Sequence, residues 1–527
     1  MTKTVTAKEV KQALSDDGEI ALIDVREHGQ YGNGHPFFAV PVAYSVFETR
    51  LVEVVPRRDC PLVLFDDDNG IADLAAARAD ALGYTDVAIM SGGAAAWADA
   101  GYELFEGVNL PSKTFGEILE IERHTPRKTP EEVAELQRNE TNHIIVDGRP
   151  FAEYNRFNIP GGICCPNGEL ALRVREIVPD PETTIIVNCA GRTRSILGAQ
   201  TLIDHGVPNP VYALENGTQG WFLAGYKNEL GATRSYPQGP TATEKRAELS
   251  AKSRDRAEKT GVAVLDRNAV EEWLSDDGRT TYVFDVRTAE EFAADGVAGS
   301  RHAPGGQLVQ ATDQWVGVKG ARMVLLDDDM IRAPMVANWL YQLGHEAAVL
   351  EGGIAAARGL DLPQREGAGV TPVPPVSAAE LTEMRDAGRV QLLDLRPSMT
   401  YRAGHIDSAT WSIRPKLDDV ALKPDVPVVL VANDPDVAAL AAQRLGELGI
   451  TGVRQLGGDA DAWAAAGLVA VASPDTPSDD ACIDFLFHTH QRNDGDAEAA
   501  RQYIAWEIGL VDRLDEQERA NFRLAAA

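Results

Sequence analysis

Ile144-Ile145-Val146-Asp147-Gly148-Arg149 is an apolar run closed by Asp-x-Arg. The same signature stands at Ala21-Leu22-Ile23-Asp24-Val25-Arg26, at Tyr282-Val283-Phe284-Asp285-Val286-Arg287 and at Gln391-Leu392-Leu393-Asp394-Leu395-Arg396. The four aspartates are 123, 138 and 109 residues apart. That spacing suits whole domains, whereas solenoid units repeat every ~20–45 residues.

Each signature opens a longer pattern. A turn-rich stretch follows, clearest as Ile159-Pro-Gly-Gly162 and Gly404-His405-Ile406-Asp407, and then a second apolar run: Leu62 to Phe65, Ile185 to Asn188, Met323 to Leu326 or Val428 to Val431. An Ala/Leu-rich helix comes next, closed by Gly83, Gly206, Gly344 or Gly449, where glycine suits a left-handed helix end. A third strand leads to Gly-Gly or Asn-Gly and, in three of the four repeats, to Trp97, Trp221 or Trp463; the third repeat has Arg358 near that place. Strands that are continuous apolar runs and alternate with helices predict a mostly parallel sheet covered on both faces. The fold class is therefore α/β, four times over, with a helical C-terminal tail.

The expected domains are 1–107, 126–235, 260–365 and 371–473, followed by a helical extension over 474–527. Thr129-Pro-Glu-Glu and Ser377-Ala-Ala-Glu380 read as helix N-caps. Asn109 to Arg127, Ser235 to Thr260 and Leu362 to Val376 read as linkers by composition, although Phe115 to Arg123 has enough helical periodicity to pack.

Fifty basic against eighty acidic residues give a net charge of −30, spread along the chain, which argues against nucleic acid as a partner. No basic stretch followed by an apolar run opens the sequence and no segment reads as a membrane span, so a cytoplasmic protein with no membrane partner is expected. Oligomeric state is left open. Five cysteines, Cys60, Cys164, Cys165, Cys189 and Cys482, are too scattered for a disulfide framework or a paired zinc motif.

In a parallel α/β sheet, ligands gather where strand ends meet helix N-termini. Seventeen residues before the helix-closing glycine, that position holds Asp66, Cys189, Asp327 and Ala432. Only Cys189 is a nucleophile. It sits in Asn188-Cys189-Ala190-Gly191-Arg192-Thr193-Arg194-Ser195, a small-residue loop with two arginines ahead of a helix. Loop amides, the helix end and the cations are expected to favour the thiolate. The plain alternative is an inert, buried cysteine.

The order Asp-x-Arg, Ile-Pro-Gly-Gly, Cys-x-x-x-x-Arg-Ser and Asn-Gly-x-x-x-Trp resembles the rhodanese family, and the other three repeats resemble rhodanese domains without the cysteine. The resemblance implies a sulfurtransferase with no cofactor, in which Cys189 takes sulfane sulfur from thiosulfate or a related small anionic donor as a persulfide. The sulfur then passes to cyanide or to a thiol acceptor, a small molecule or a protein. It implies that residues 190 to 195, Ala190, Gly191, Arg192, Thr193, Arg194 and Ser195, line the substrate site. Arg194 is expected to point into the cradle and Arg192 to lie at the rim or in solvent. Asp147 and Arg149 are expected to be structural, pinning the first strand. Many family members have glycine at the third position after the cysteine; here that position is Arg192, and glycine comes one earlier. Phosphatases and arsenate reductases are the nearest rivals. Their signature puts five residues between cysteine and arginine, whereas four separate Cys189 from Arg194. A persulfide carrier or sensor with little turnover is the second reading.

Cys165, next to Pro166, is the candidate auxiliary thiol, since adjacent strand residues face opposite ways and at most one of Cys164 and Cys165 can face the loop. The alternative is that both are packing residues. His35 and His405 are expected to be structural, His488 and His490 to be surface residues, and Asp66 to Asp68 and Asp327 to Asp329 to be solvated remnants. No metal site is expected.

Overall fold

The computed structural model describes residues 2–237, 239, 243–364, 367–487 and 495–525. The chain divides into two compact units, one of Met1–Gln12, Ala21–Gly107 and Arg365–Phe487, the other of Ala13–Ile20, Val108–Gln364 and His488–Ala527. Each unit holds two five-stranded sheets, and every strand pair within these sheets is parallel.

The cysteine-bearing domain shows the plan. Its sheet runs in the spatial order Arg127–Lys128, Val211–Leu214, Thr184–Asn188, His143–Asp147 and Ile163–Cys164. Alternate residues of the central strands enter two apolar layers. Val146, Val187 and Ala213 pack with Leu170, Val174 and Leu202 on one face, and Ile145, Ile186 and Leu214 with Val133 and Trp221 on the other. Burial on both faces is why these strands read as unbroken apolar runs.

The Asp-x-Arg signature pairs its two side chains at the strand end in all four domains; Arg26, Arg149 and Arg396 also reach a backbone carbonyl, while Arg287 bonds Asp295 and Asp328 instead. Arg149 Nε and Nη2 donate to the two carboxylate oxygens of Asp147 at 2.9 and 2.7 Å, and Nη2 also donates to the Phe157 carbonyl at 2.6 Å. Arg26 and Arg396 bond Asp24 and Asp394 likewise, and reach the carbonyls of Gly34 and Gly404. Asn188, beside Asp147 in the ladder, donates to its carboxylate at 2.8 Å. The Arg149 bonds join the strand end to the loop that follows it. His35 and His405 are structural as well, each stacked on a tyrosine and within 3.0 and 2.9 Å of its carbonyl.

Thr129 closes a capping box with Glu132, and the Ser377 hydroxyl accepts the Glu380 amide. Gly83, Gly206, Gly344 and Gly449 all have φ between +67° and +99°. Two linker readings need correction. Ser235 to Thr260 contains an 18-residue helix, Thr243–Thr260, whose Leu249, Ser253 and Ala257 are buried against the third domain's Arg332–Gln342 helix and its neighbours. Its small buried residues hid an amphipathic face inside a highly charged composition. The end of Leu362 to Val376 is an edge strand, Pro375–Val376. The stretch before Arg127 does pack: Leu110–Arg123 is a helix lying on Thr193–Asp204, with Phe115 fully buried. Beyond residue 474 the chain is split between the units, and helices Ala497–Ile508, Leu510–Arg513 and Glu516–Ala520 belong with the cysteine-bearing unit. Among the described residues no helix is long and apolar enough to cross a membrane.

Candidate active site

Strand Thr184–Asn188 delivers Cys189 to a short loop, and helix Thr193–Asp204 leaves it. The loop is clamped from behind. The carbonyls of Cys189 and Ala190 accept the amides of Thr218 and Gln219 at 2.9 and 3.1 Å, at the start of helix Gly217–Leu223. Gly217 has φ +55°, and a Cβ there would lie closer than 3.0 Å to the Cys189 carbonyl oxygen. The Asn-Gly of the sequence pattern is therefore a close-approach device. In the fourth domain Asp459 takes that position with φ −113°, and the residue at the Cys189 position is Ala432.

The loops of the first and third domains hold a side chain in place of the thiol. Asp327, at the Cys189 position, is fully buried, and its carboxylate accepts the amides of Met330, Ile331, Arg332 and Ala333 at 2.9, 2.8, 2.8 and 3.2 Å. In the first domain Asp66 accepts the amides of Asp68 and Ala72, both at 2.9 Å. Asp66 and Asp327 are therefore not solvated remnants but buried carboxylates held by loop amides, whereas Asp67, Asp68 and Asp328 are exposed. The second-domain loop is not identical: Arg192, three residues after Cys189, has φ −118° where Met330 has φ +56°, its helix starts one residue earlier, and the amide and hydroxyl of Ser195 are the groups that bond Cys189.

Cys189 is 2 % exposed, with its Sγ 3.6 Å from Ser195 Oγ, which itself donates to the Arg192 carbonyl at 2.7 Å. Burial pushes the Cys189 thiol up; the Arg194 charge and the hydroxyl and amide of Ser195 pull it back, and Glu507 pushes it further up. The net direction is upward, which corrects the expectation of a favoured thiolate: desolvation of a nearly enclosed sulfur outweighs the cation and the loop dipoles.

Both arginines also differ from expectation. Arg194 forms a two-pronged ion pair with Glu153, Nη1 to Oε1 and Nη2 to Oε2, each at 2.8 Å, so it acts on Cys189 by its charge while its terminal nitrogens are held. Arg192 is neither at the rim nor solvated. Its buried guanidinium donates to Glu117 at 2.6 and 2.8 Å, to Glu120, and to Asn216 at 2.9 Å. Burial pushes Glu117 up to about 7 against the pull of Arg192. This cluster fixes the loop to the Leu110–Arg123 helix.

Sequence reasoning missed Glu153, Glu117 and Glu507. Glu153 carried a signal, standing six residues after Asp147 as Glu291 stands after Asp285, and Glu291 pairs with Arg332, the Arg194 counterpart. The other two left none, because Glu117 lies in an apparent linker and Glu507 in the tail. Thr193 Oγ1 donates to Glu507 at 2.7 Å, and Gly191 faces the same carboxylate.

Cys164 and Cys165 point to opposite sides, as the strand requires. Cys164 packs with Tyr154 and Ala232, and Cys165 lies in the apolar layer with Val146, Leu170 and Val187. Burial pushes both thiols up, Cys164 to about 12. All five cysteines are free thiols and buried, and the packing role fits Cys165 better than the auxiliary one. His488 and His490 lie outside the described residues; among the described residues no three His, Cys, Asp or Glu side chains are grouped to hold a metal ion.

The second domain is thus of the class of parallel α/β domains that carry a single thiol in the strand-to-helix loop at the sheet's end. The rhodanese-like domain model matches residues 6–100, 129–224, 266–359 and 377–466, well over half of the chain. The crystal structure of a thiosulfate sulfurtransferase from Pseudomonas aeruginosa is 39% identical, covers 99% of this chain and 100% of its own, and superposes with a TM-score of 0.91. A second relative, an HTH-type transcriptional regulator of Mycobacterium tuberculosis, is 34% identical over 98 residues, 18% of this chain; the match spans 42% of the regulator's length. The chain belongs to the rhodanese-like family, with four such domains.

Proposed function

We propose that the protein is a sulfurtransferase in which Cys189 carries sulfane sulfur from thiosulfate or a related anionic donor to cyanide or a thiol. The observation that supports this most is the Asp327 carboxylate bound by four loop amides. The second-domain loop differs in detail, with Arg192 at φ −118° where Met330 has φ +56°, but its Ser195 amide and hydroxyl already face Cys189 and would serve whatever anion forms there, first the thiolate and then the terminal sulfur of a persulfide.

In the first step the Cys189 thiolate attacks the outer sulfur of thiosulfate. A sulfur–sulfur bond forms to Cys189, the bond within thiosulfate breaks, and sulfite departs with the electron pair. In the second step the acceptor attacks the terminal sulfur and the pair returns to Cys189. The double displacement needs no external oxidant or reductant. Arg194, held by Glu153, lowers the cost of negative charge at the sulfur in both steps. Asp66, Asp327 and Ala432 offer no nucleophile, so the other three domains are assigned a supporting role, and domain limits of 1–107, 126–235, 260–365 and 371–473 are proposed. The 39%-identical relative named as a thiosulfate sulfurtransferase supports the same donor class.

The buried sulfur and its upward-shifted thiol favour a second reading, a persulfide carrier that turns over slowly by itself. Steady-state thiocyanate formation from thiosulfate and cyanide separates the two. Enzymatic turnover that vanishes in Cys189→Ser supports the first, and a single stoichiometric burst supports the second.

A further inference from the structure

Glu507 comes from the tail helix Ala497–Ile508, which packs on Gly217–Leu223 and Leu110–Arg123. It is 1 % exposed, an unusual place for a carboxylate. One oxygen, Oε1, accepts the Thr193 hydroxyl at 2.7 Å, while Oε2 is buried with no hydrogen-bond partner among the described residues. Oε2 looks onto the loop at Gly191, where a Cβ would lie 3.2 Å from it and 3.9 Å from Gln219 Nε2. The Gln219 amide is buried too, and neither its Oε1 nor its Nε2 is paired among the described residues. Buried polar atoms are nearly always satisfied. Three unsatisfied ones gathered over the glycine of a thiol loop point to a ligand. Arg192 does not quench the carboxylate by contact, since its guanidinium bonds Glu117, Glu120 and Asn216.

We propose that Glu507 and Gln219 form the subsite for the acceptor, and that it selects a thiol bearing an ammonium or other N–H group over an anionic one. This rests on the sulfurtransferase reading of Cys189. Glu507 Oε2 would accept from the ammonium, and the Gln219 amide would donate to or accept from the acceptor's other polar atoms. Glu507 is a positioning residue: it orients the acceptor while the acceptor's thiolate sulfur bonds to the terminal sulfur of the persulfide. The bond from that sulfur to Cys189 then breaks and its electron pair returns to Cys189. The Glu507 charge also reaches the reacting centre, because it pushes the Cys189 thiol up.

The test uses the full chain. Cys189 is loaded with thiosulfate, and single-turnover transfer is timed to cysteamine, 2-mercaptoethanol and 3-mercaptopropanoate, with rates expressed per thiolate. In parallel, Cys189 is modified with cationic, neutral and anionic methanethiosulfonates, with Cys189→Ser as the blank. Wild type should prefer the cation in both series. Glu507→Gln, of nearly the same shape, should lower the cation-to-anion ratio about tenfold in both while leaving the neutral reagent within about twofold. Glu507→Asp should keep the cationic preference, which guards against a merely undocked tail. Equal effects on all three charges, or unchanged ratios, would overturn the subsite. If Cys189 takes no sulfur yet the methanethiosulfonate ratio shifts as expected, charge selection by Glu507 stands and the sulfurtransferase reading falls.

Discussion

Replacing Gly217 with alanine tests the clamp that shapes the Cys189 loop. The residue has φ +55°, and its new Cβ would fall closer than 3.0 Å to the Cys189 carbonyl oxygen and 2.8 Å from that of Gly191. Holding alanine in the left-handed region costs about 1–2 kcal/mol, and pushing two backbone carbonyls away costs a further 1–3 kcal/mol or so. A destabilisation of about 2–5 kcal/mol is expected in denaturant titrations of this domain. The loop that yields is the one carrying the proposed nucleophile, Cys189, and misplacement by about 1 Å costs on the order of a hundredfold in rate. Thiocyanate formation should fall by about that factor in kcat/KM. Gly93→Ala supplies the control, since Gly93 has φ +54° and its Cβ would crowd the Asp66 carbonyl in the same way. It should destabilise comparably and leave turnover intact. A Gly217→Ala protein with wild-type stability and kcat/KM within about twofold would refute the clamp argument.

Other substitutions separate structural from electrostatic roles. Arg192→Ala strands the buried Glu117 beside Glu120 and should destabilise the protein by about 3–5 kcal/mol in chemical denaturation. Arg194→Ala removes the cation that opposes burial of the Cys189 charge; kcat/KM for thiosulfate should drop about tenfold to a hundredfold, as charge-assisted contacts of about 1.5–3 kcal/mol imply. Because the Cys189 thiol is shifted upward, it holds its proton to higher pH than a free thiol of about 8.5, so its alkylation by iodoacetamide should still be climbing at that pH. A plateau below pH 7 would show that the loop dipoles and Arg194 win over burial.

The four domains were legible because parallel strands buried on both faces leave continuous apolar runs, and because Asp-x-Arg serves one bonding task each time. The position of Cys189 was legible for the same reason: the helix-closing glycine sets a fixed distance back to the strand end. The partners of the loop were not. Arg192 and Glu117 are 75 positions apart and Thr193 and Glu507 are 314 apart, so no local pattern joins them. The helix Thr243–Thr260 was hidden because charge dominates its composition, while only a narrow stripe around Leu249, Ser253 and Ala257 is buried. The upward shift of Cys189 was misjudged because sequence shows the cations near a thiol but not how completely the fold removes it from water.

The most direct test of the central claim is intact-protein mass spectrometry after incubation with thiosulfate and removal of excess donor, followed by peptide mapping. One added sulfur per chain is expected, located on Cys189, absent from Cys189→Ser and discharged by cyanide with release of thiocyanate. Added sulfur on Cys60, Cys164, Cys165 or Cys482, or unmodified Cys189 after thiosulfate alone in a preparation that forms thiocyanate once cyanide is added, would contradict the claim.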